Sequence, residues 1–184
     1  MTIPTPDPIS AADAQKQGAA TSSAAKGIDP RGPRFGASIT SGLLLVVVLL
    51  GLQEPATDEL LARVAQPAAV LLTALVALFA WGAFAGIQKH PYGALYRRLV
   101  APRLSPPTER EDAAPPTFAQ LVGLMVTAAG LVLHLAGVPA ALVIAASAAF
   151  IAAFLNAAFA YCLGCQLYVV LVRAGFVRRS AVRA

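Results

Sequence analysis

The sequence has very little charge. Only 12% of its 184 residues are Asp, Glu, Lys or Arg, about half of the roughly 25% found in soluble domains. Hydrophobic residues make up 58% of the chain, and the mean hydropathy is +0.69. This composition excludes an ordinary soluble domain and predicts an integral membrane protein.

Groups that carry catalytic chemistry are also scarce. No acidic residue lies within a long apolar stretch, which argues against a proton- or sodium-coupled pump of the carboxylate type. The sequence has no glycine-rich phosphate loop, no paired-carboxylate site and no internal repeat, and we expect no cofactor. The net charge of +5 comes from dispersed basic residues, so we expect no nucleic-acid partner either.

Four apolar stretches cover residues 35–52, 67–87, 118–136 and 139–172. The first three are close to the ~20 residues with which a helix crosses a ~30 Å hydrocarbon core. Lipid offers no hydrogen-bond partner to a bare backbone, so each stretch must be helical. The sequence therefore predicts an all-α fold in a lipid bilayer, a polytopic four-transmembrane-helix bundle over residues 34–173.

The last stretch is too long for one perpendicular pass. As a single helix its 34 residues would extend roughly 50 Å, so a tilt, a kink or a break must absorb the excess. Because glycine often marks a kink, we expect the helix to weaken at Gly164. The residues from Tyr161 onward are then predicted to lie near the membrane surface.

Basic residues are distributed unevenly among the loops. With the amino terminus inside, thirteen lie on the cytoplasmic side and Arg63 alone lies outside. The thirteen are Lys16, Lys26, Arg31, Arg34, Lys89, Arg97, Arg98, Arg103, Arg110, Arg173, Arg178, Arg179 and Arg183. The positive-inside rule predicts that both termini and the central loop are cytoplasmic. Residues 1–33 lack apolar periodicity and are predicted to be a disordered tail, with a second, basic tail over 174–184.

The only two cysteines lie in the motif Cys162-Leu163-Gly164-Cys165 within the last stretch. Thiols at this spacing can exchange with disulfides or carry sulfur as a persulfide. They can also bind a metal together with further ligands, or pack as small side chains between helices. The pair lies toward the carboxyl end of an apolar helix, which disfavours the thiolate. Reactivity would therefore require a cationic neighbour or an opening of the helix at Gly164.

His90 directly follows the second predicted helix, on the same side of the membrane as the cysteines. It is therefore the candidate base or thiolate partner of Cys162 and Cys165. The alternative is that the segment His90-Pro91-Tyr92 anchors the chain at the interface. His134 and Asn156 are polar groups inside predicted spans, and each can serve as a relay, contact a substrate or form an interhelical hydrogen bond.

Four motifs, taken in order, resemble a known family. They are Ile28-Asp29-Pro30-Arg31-Gly32-Pro33-Arg34-Phe35, His90-Pro91-Tyr92, Phe118-Ala119-Gln120 and Cys162-Leu163-Gly164-Cys165. Together they are similar to a family of small bacterial four-helix membrane proteins, catalogued as domain of unknown function 4395 and common in actinobacteria. The resemblance covers residues 28–173. It implies the bacterial cytoplasmic membrane and a link to sulfur metabolism, because relatives are encoded near thioredoxin-like and rhodanese-like proteins.

These observations predict a membrane thiol-redox or sulfur-relay protein that serves a thioredoxin-like or rhodanese-like partner. Its catalytic residues would be Cys162, Cys165 and His90, without a metal. The alternative is a non-enzymatic membrane subunit or a permease for small sulfur species, in which the cysteines are structural or line a path. Whether the chain is an enzyme, and whether it forms a homo-oligomer or joins a larger membrane complex, stays open.

Overall fold

The computed structural model describes residues 27–55 and 57–176. The predicted amino-terminal tail lies outside this part of the chain up to residue 26, and the predicted basic tail lies outside it from residue 177. Within the described residues all regular structure is helical, apart from one isolated β-bridge between Ile28 and Glu111.

Four helices are long and apolar enough to cross a membrane, with 19 to 22 residues each. They are α1 (Arg31–Gly51), α3 (Pro67–Ala85), α5 (Ala114–Leu135) and α6 (Ala141–Phe159). The predicted four-helix membrane fold is therefore confirmed. Three shorter helices complete the chain, namely α2 (Leu60–Ala65), α4 (Pro91–Leu99) and α7 (Leu163–Arg173), with 3-10 turns at Ile87–Lys89 and Ala101–Arg103.

One half of the bundle is tightly packed. Large side chains from α1, α3 and α6 meet there with almost no exposed surface, as Leu44, Leu72 and Leu142 illustrate. Small residues such as Ala68 and Ala146 lie in the same cluster and let the backbones approach closely, which stabilises helix contacts in lipid. α5 packs beside this cluster, against α3 and α6.

The opposite end of the bundle carries most of the positive charge. There α1 begins, α3 ends, α5 begins and α6 ends, and α4 and α7 lie next to these termini. We call this the basic end. Eight of the nine described lysines and arginines belong to it, namely Arg31, Arg34, Lys89, Arg97, Arg98, Arg103, Arg110 and Arg173. Arg63 of α2 is at the other end, where its guanidinium donates to the Leu135 carbonyl.

The segment before α1 is fixed to the basic end. Ile28 pairs with Glu111 through two backbone hydrogen bonds of 2.9 and 3.0 Å. The Asp29 carboxylate accepts the Arg31 backbone N–H at 2.9 Å and the Tyr96 hydroxyl at 2.8 Å. Because these bonds satisfy the polar groups of residues 28–31, α1 begins at Arg31, earlier than the predicted boundary.

The long last stretch is broken, but not at Gly164 as the sequence predicted. α6 ends at Phe159, and Ala160 adopts a left-handed conformation with φ 56° that stops the helix. Gly164 lies in the first turn of α7, where a Cβ would be 2.5 Å from the Ala119 Cβ and 2.6 Å from its Cα. The glycine is therefore required for the close approach of α7 to α5, and its flexibility is not what ends the helix.

Candidate cysteine site and its cavity

Cys162 and Cys165 lie at the amino-terminal end of α7. Cys162 is the N-cap residue, and its Sγ accepts the backbone N–H of Cys165 at 3.3 Å. The Cα atoms of the two residues are 5.2 Å apart, and the sulfurs are joined as a disulfide. Because Cys162 has an extended backbone before the first helical turn, the two sulfurs can meet without distorting a continuous helix.

This position overturns one sequence-based objection to reactivity. The pair was expected near a helix carboxyl end, where the dipole disfavours a thiolate. The break at Ala160 instead places Cys162 at a helix amino terminus, where unpaired backbone N–H groups and the positive end of the dipole stabilise negative charge. Reactive cysteines of Cys-X-X-Cys pairs are found in such surroundings.

Contacts with α5 hold α7 in place. Gly164 packs directly on the backbone of Ala119. One turn further along α7, the ring of Tyr168 lies 5.6 Å from the ring of Phe118, measured between centroids, and Tyr168 is buried. These contacts fix the orientation of the first turn of α7 and therefore of its two sulfurs.

Cys162 lies on the wall of a cavity of about 800 Å³ at the basic end. This volume is within the range of about 300–1,000 Å³ for small-molecule sites. The cavity extends between α1, α5 and α6 as far as Val126 and Ala148, which are near the middle of their helices. Cys165 is not part of the wall, so one of the two sulfur-bearing residues faces the space.

His90 lies on the wall of the same cavity, but it is engaged by the backbone. It is the N-cap of α4, where its Nδ1 accepts the Tyr92 N–H at 3.3 Å. Its Nε2 lies 3.2 Å from the Leu78 carbonyl and donates to it, since Nδ1 is the acceptor. Burial lowers the pKa of His90, and the bond to Leu78 only partly opposes this effect. The ring is therefore neutral and joins the end of α3 to the start of α4.

The sequence profile of a family described as a domain of unknown function (DUF4395) matches residues 28–173. The chain belongs to this family. The DUF4395 domain thus includes all four spans, the segment that begins at Ile28 and the whole of α7. No curated protein and no solved structure matches the chain.

The two other polar residues that the sequence singled out, Asn156 and His134, lie in different parts of the DUF4395 domain. Asn156 of α6 lies on the cavity wall. His134 is in the last turn of α5, at the end of the bundle far from the cysteines, and its buried Nε2 has no hydrogen-bond partner among the described residues. Within residues 27–55 and 57–176, no three side chains of His, Cys, Asp or Glu are close enough together to hold a metal ion.

Two residues of the DUF4395 site, Gln120 and Asp29, were not predicted as site residues from the sequence. Gln120 lines the cavity, next in sequence to Ala119, which contacts Gly164. Asp29 lines the cavity at the basic end, and its pKa is below the usual value. Burial alone would raise that pKa, but hydrogen bonds from the Arg31 backbone, the Tyr96 hydroxyl and the Arg31 guanidinium outweigh it. The Phe118-Ala119-Gln120 motif was the available signal for the first of these residues.

Proposed function

We propose that the protein is a membrane thiol–disulfide exchange protein in which Cys162 and Cys165 accept two electrons from a soluble thiol-bearing partner. The partner belongs to the thioredoxin-like or rhodanese-like class that the family resemblance implies. The observation that carries the proposal is that the disulfide lies at a helix amino terminus with Cys162 on a cavity wall. A pair that served only for packing would need neither feature.

The exchange can be written with its electrons balanced. A partner thiolate attacks the Cys162 sulfur, a mixed disulfide forms, the Cys162–Cys165 bond breaks, and Cys165 leaves as a thiolate that takes up a proton. The second thiolate of the partner then attacks its own sulfur in the mixed disulfide and releases Cys162. The Cys165 N–H and the helix terminus stabilise the Cys162 thiolate, which makes Cys162 a good leaving group in this second step. The partner ends as a disulfide and the pair as a dithiol.

His90 is not needed as a proton carrier in this scheme. Both of its ring nitrogens are hydrogen-bonded to backbone groups of Leu78 and Tyr92. We assign it a positioning role, since it holds α4 against the end of α3 and so shapes the cavity beside Cys162.

The competing proposal is a permease for small sulfur species, and the packing argues against it. A permease needs a polar path through the bundle. The half of the bundle beyond the cavity is filled by side chains such as Leu44, Val47 and Leu72, each with 0% exposure. The cavity is therefore a pocket that opens toward the basic end, as an exchange site requires.

We further propose that the basic end faces the cytoplasm of a bacterial cell, in its inner membrane. The eight basic residues at that end support this orientation. Single cysteines placed in a Cys162→Ser, Cys165→Ser background would test it. A membrane-impermeant maleimide should label Asp58→Cys in intact cells, but Glu109→Cys only after lysis, and the reverse pattern would refute the orientation. Both native positions are exposed.

Trapping a mixed disulfide tests the exchange itself. The full chain carrying Cys165→Ser would be purified in detergent and incubated with a thioredoxin whose resolving cysteine is serine and whose remaining thiol is activated as an aromatic mixed disulfide. We expect a covalent complex through Cys162, formed about tenfold faster than with the Cys162→Ser variant, because only Cys162 is the N-cap. Two thiols that stay unreactive toward both the thioredoxin and a small aromatic disulfide would refute the proposal.

A further inference from the structure

We infer that the cavity beside Cys162 binds a membrane quinone, which takes the two electrons from the reduced cysteine pair. This inference rests on the proposed exchange function and names its second substrate class. A disulfide that accepts electrons from a soluble partner must pass them on before it can react again. The partner thiol would enter at the mouth of the cavity, and the inner part between α5 and α6 would give the acceptor room beside Cys162.

The polarity of the cavity changes along its length. At the mouth are Asp29, Arg97 and Arg110, which all lie outside the spanning helices. The inner part lies between the middle sections of α5 and α6, where the wall is formed by short apolar side chains such as Val126 and Ala152. No charged side chain of the described residues lines that inner part. An uncharged, largely apolar molecule fits it, and an anion or a free thiol metabolite does not.

The wall also carries neutral hydrogen-bonding groups at the level of the cysteines. Gln120 and Asn156 both line the cavity, and neither side-chain amide forms a hydrogen bond with another described side chain or backbone group. Gly82 makes room for Gln120, because a Cβ there would lie 2.7 Å from the Gln120 Cγ. Amide N–H groups at these positions can donate to the two carbonyl oxygens of a quinone.

An aromatic residue, Phe79, also lines the cavity. The ring of Phe79 packs on Gly123, where an added Cβ would lie 2.6 Å from its Cε1 atom, and both residues line the cavity. A quinone ring can stack on such a surface. Its isoprenoid tail would follow the alanine-lined part of the cavity between α5 and α6.

The electron transfer balances without a further co-reactant. The Cys162 thiolate adds to a ring carbon of the quinone, and a carbon–sulfur bond forms. The Cys165 thiolate then attacks the Cys162 sulfur, so that the disulfide forms, the carbon–sulfur bond breaks, and the bonding pair stays on the ring. The two protons lost by the thiols are taken up by the two quinone oxygens. One dithiol and one quinone thus give one disulfide and one quinol.

The test uses the full chain in detergent with its pair reduced and the excess reductant removed. The probe is a fully ring-substituted benzoquinone with one isoprene unit, because a substituted ring cannot retain a thioether. Quinone consumption is followed by ultraviolet absorbance, and thiols are counted in the same sample. We expect one quinone consumed for each disulfide formed, and no reaction above background in the Cys162→Ser variant.

Two substitutions of leucine for alanine in α6 test whether the quinone binds in the cavity. Ala152 lies on the cavity wall, whereas Ala158 is exposed and is not part of it. A leucine in place of Ala152 would occupy part of the space that the quinone needs, so Ala152→Leu should slow quinone reduction about tenfold or more, while Ala158→Leu should leave it unchanged. Ala158→Leu should still react with a water-soluble aromatic disulfide at the rate of the unmodified protein, and in Ala152→Leu this reaction should be slowed less than quinone reduction.

Each other outcome overturns one of the two proposals. If the pair reacts with the aromatic disulfide but not with the quinone, the quinone site is refuted and the exchange function stands. If Ala152→Leu and Ala158→Leu reduce the quinone equally fast, the cavity is not where the quinone binds. If the pair reacts with neither reagent, the exchange function fails, and the quinone inference fails with it.

Discussion

Replacing Gly164 with alanine should displace α7 from α5. The new Cβ would lie 2.5 Å from the Ala119 Cβ and 2.6 Å from its Cα. Carbon atoms in contact normally lie about 3.5–4.0 Å apart, so α7 must move by about 1 Å. Because the second atom belongs to the backbone, no side-chain rotation can relieve the contact. Overpacking of this kind costs about 1–3 kcal/mol.

Gly42 of α1 offers a matched control. A Cβ at this position meets nothing within 4 Å, and the residue is in a helix like Gly164. Gly42→Ala gains up to about 1 kcal/mol of helix propensity in the interior of α1, so a stability difference larger than this reports the clash of Gly164→Ala with Ala119. Unfolding in a detergent titration, followed by circular dichroism, should show Gly164→Ala less stable than Gly42→Ala by about 1–3 kcal/mol.

The thiols give a second readout of the same displacement. Cys162 caps α7 and Cys165 belongs to its first turn, so the pair moves with the helix and should still form its disulfide. Cys162 would leave the cavity wall, and reaction with a cavity-bound oxidant should slow. Adding Ala119→Gly removes one of the two close contacts and should restore part of the lost stability. If Gly164→Ala and Gly42→Ala are equally stable and the thiol reactivity is unchanged, the assigned role of Gly164 is refuted.

Three further substitutions test the surroundings of the site by the same titration. Ala160→Gly should stabilise the protein by about 1 kcal/mol, since glycine adopts the left-handed conformation without the steric cost of a Cβ; a loss of stability would contradict it. His90→Ala should cost about 0.5–2 kcal/mol through the lost cap, and His90→Asn less. Because burial lowers the pKa of His90 in the folded state, stability should fall as the pH drops below 6.5, and His90→Asn should flatten this dependence. Tyr96→Phe should cost about 1–2 kcal/mol, and the loss should shrink in an Asp29→Ala background, where the hydrogen bond is already absent.

The spans were predictable because their signal is local. Apolar length alone determines that a segment crosses a bilayer, so all four spanning helices were found from the sequence. The ends were less accurate where long-range contacts decide them. Asp29, which also accepts the Arg31 N–H at the start of α1, is held by a hydrogen bond from the Tyr96 hydroxyl, 67 positions further along the chain. No local pattern contains that information.

The break in the last apolar stretch shows why the conformational preference of a single residue does not predict where a helix ends. Gly164 was the expected weak point because glycine is flexible, but its lack of a side chain is used for contact with Ala119. Ala160 has no breaking tendency of its own, and yet it adopts the left-handed conformation. The docking of α7 on α5 decides where the chain turns, and that contact joins residues more than forty positions apart.

The turn at Ala160 also bears on the proposed reactivity of two cysteines in an apolar segment. In a continuous helix, the backbone N–H groups near Cys162 would all be paired with carbonyl groups one turn earlier, and a thiolate would have no donor. Ending α6 at Phe159 exposes a new amino terminus at Leu163, and the Cys165 N–H turns toward the Cys162 sulfur. The left-handed alanine costs about 1–2 kcal/mol. A charge-assisted hydrogen bond to a thiolate contributes a comparable amount, so under the proposed exchange the reduction of the pair would offset the cost of the left-handed turn.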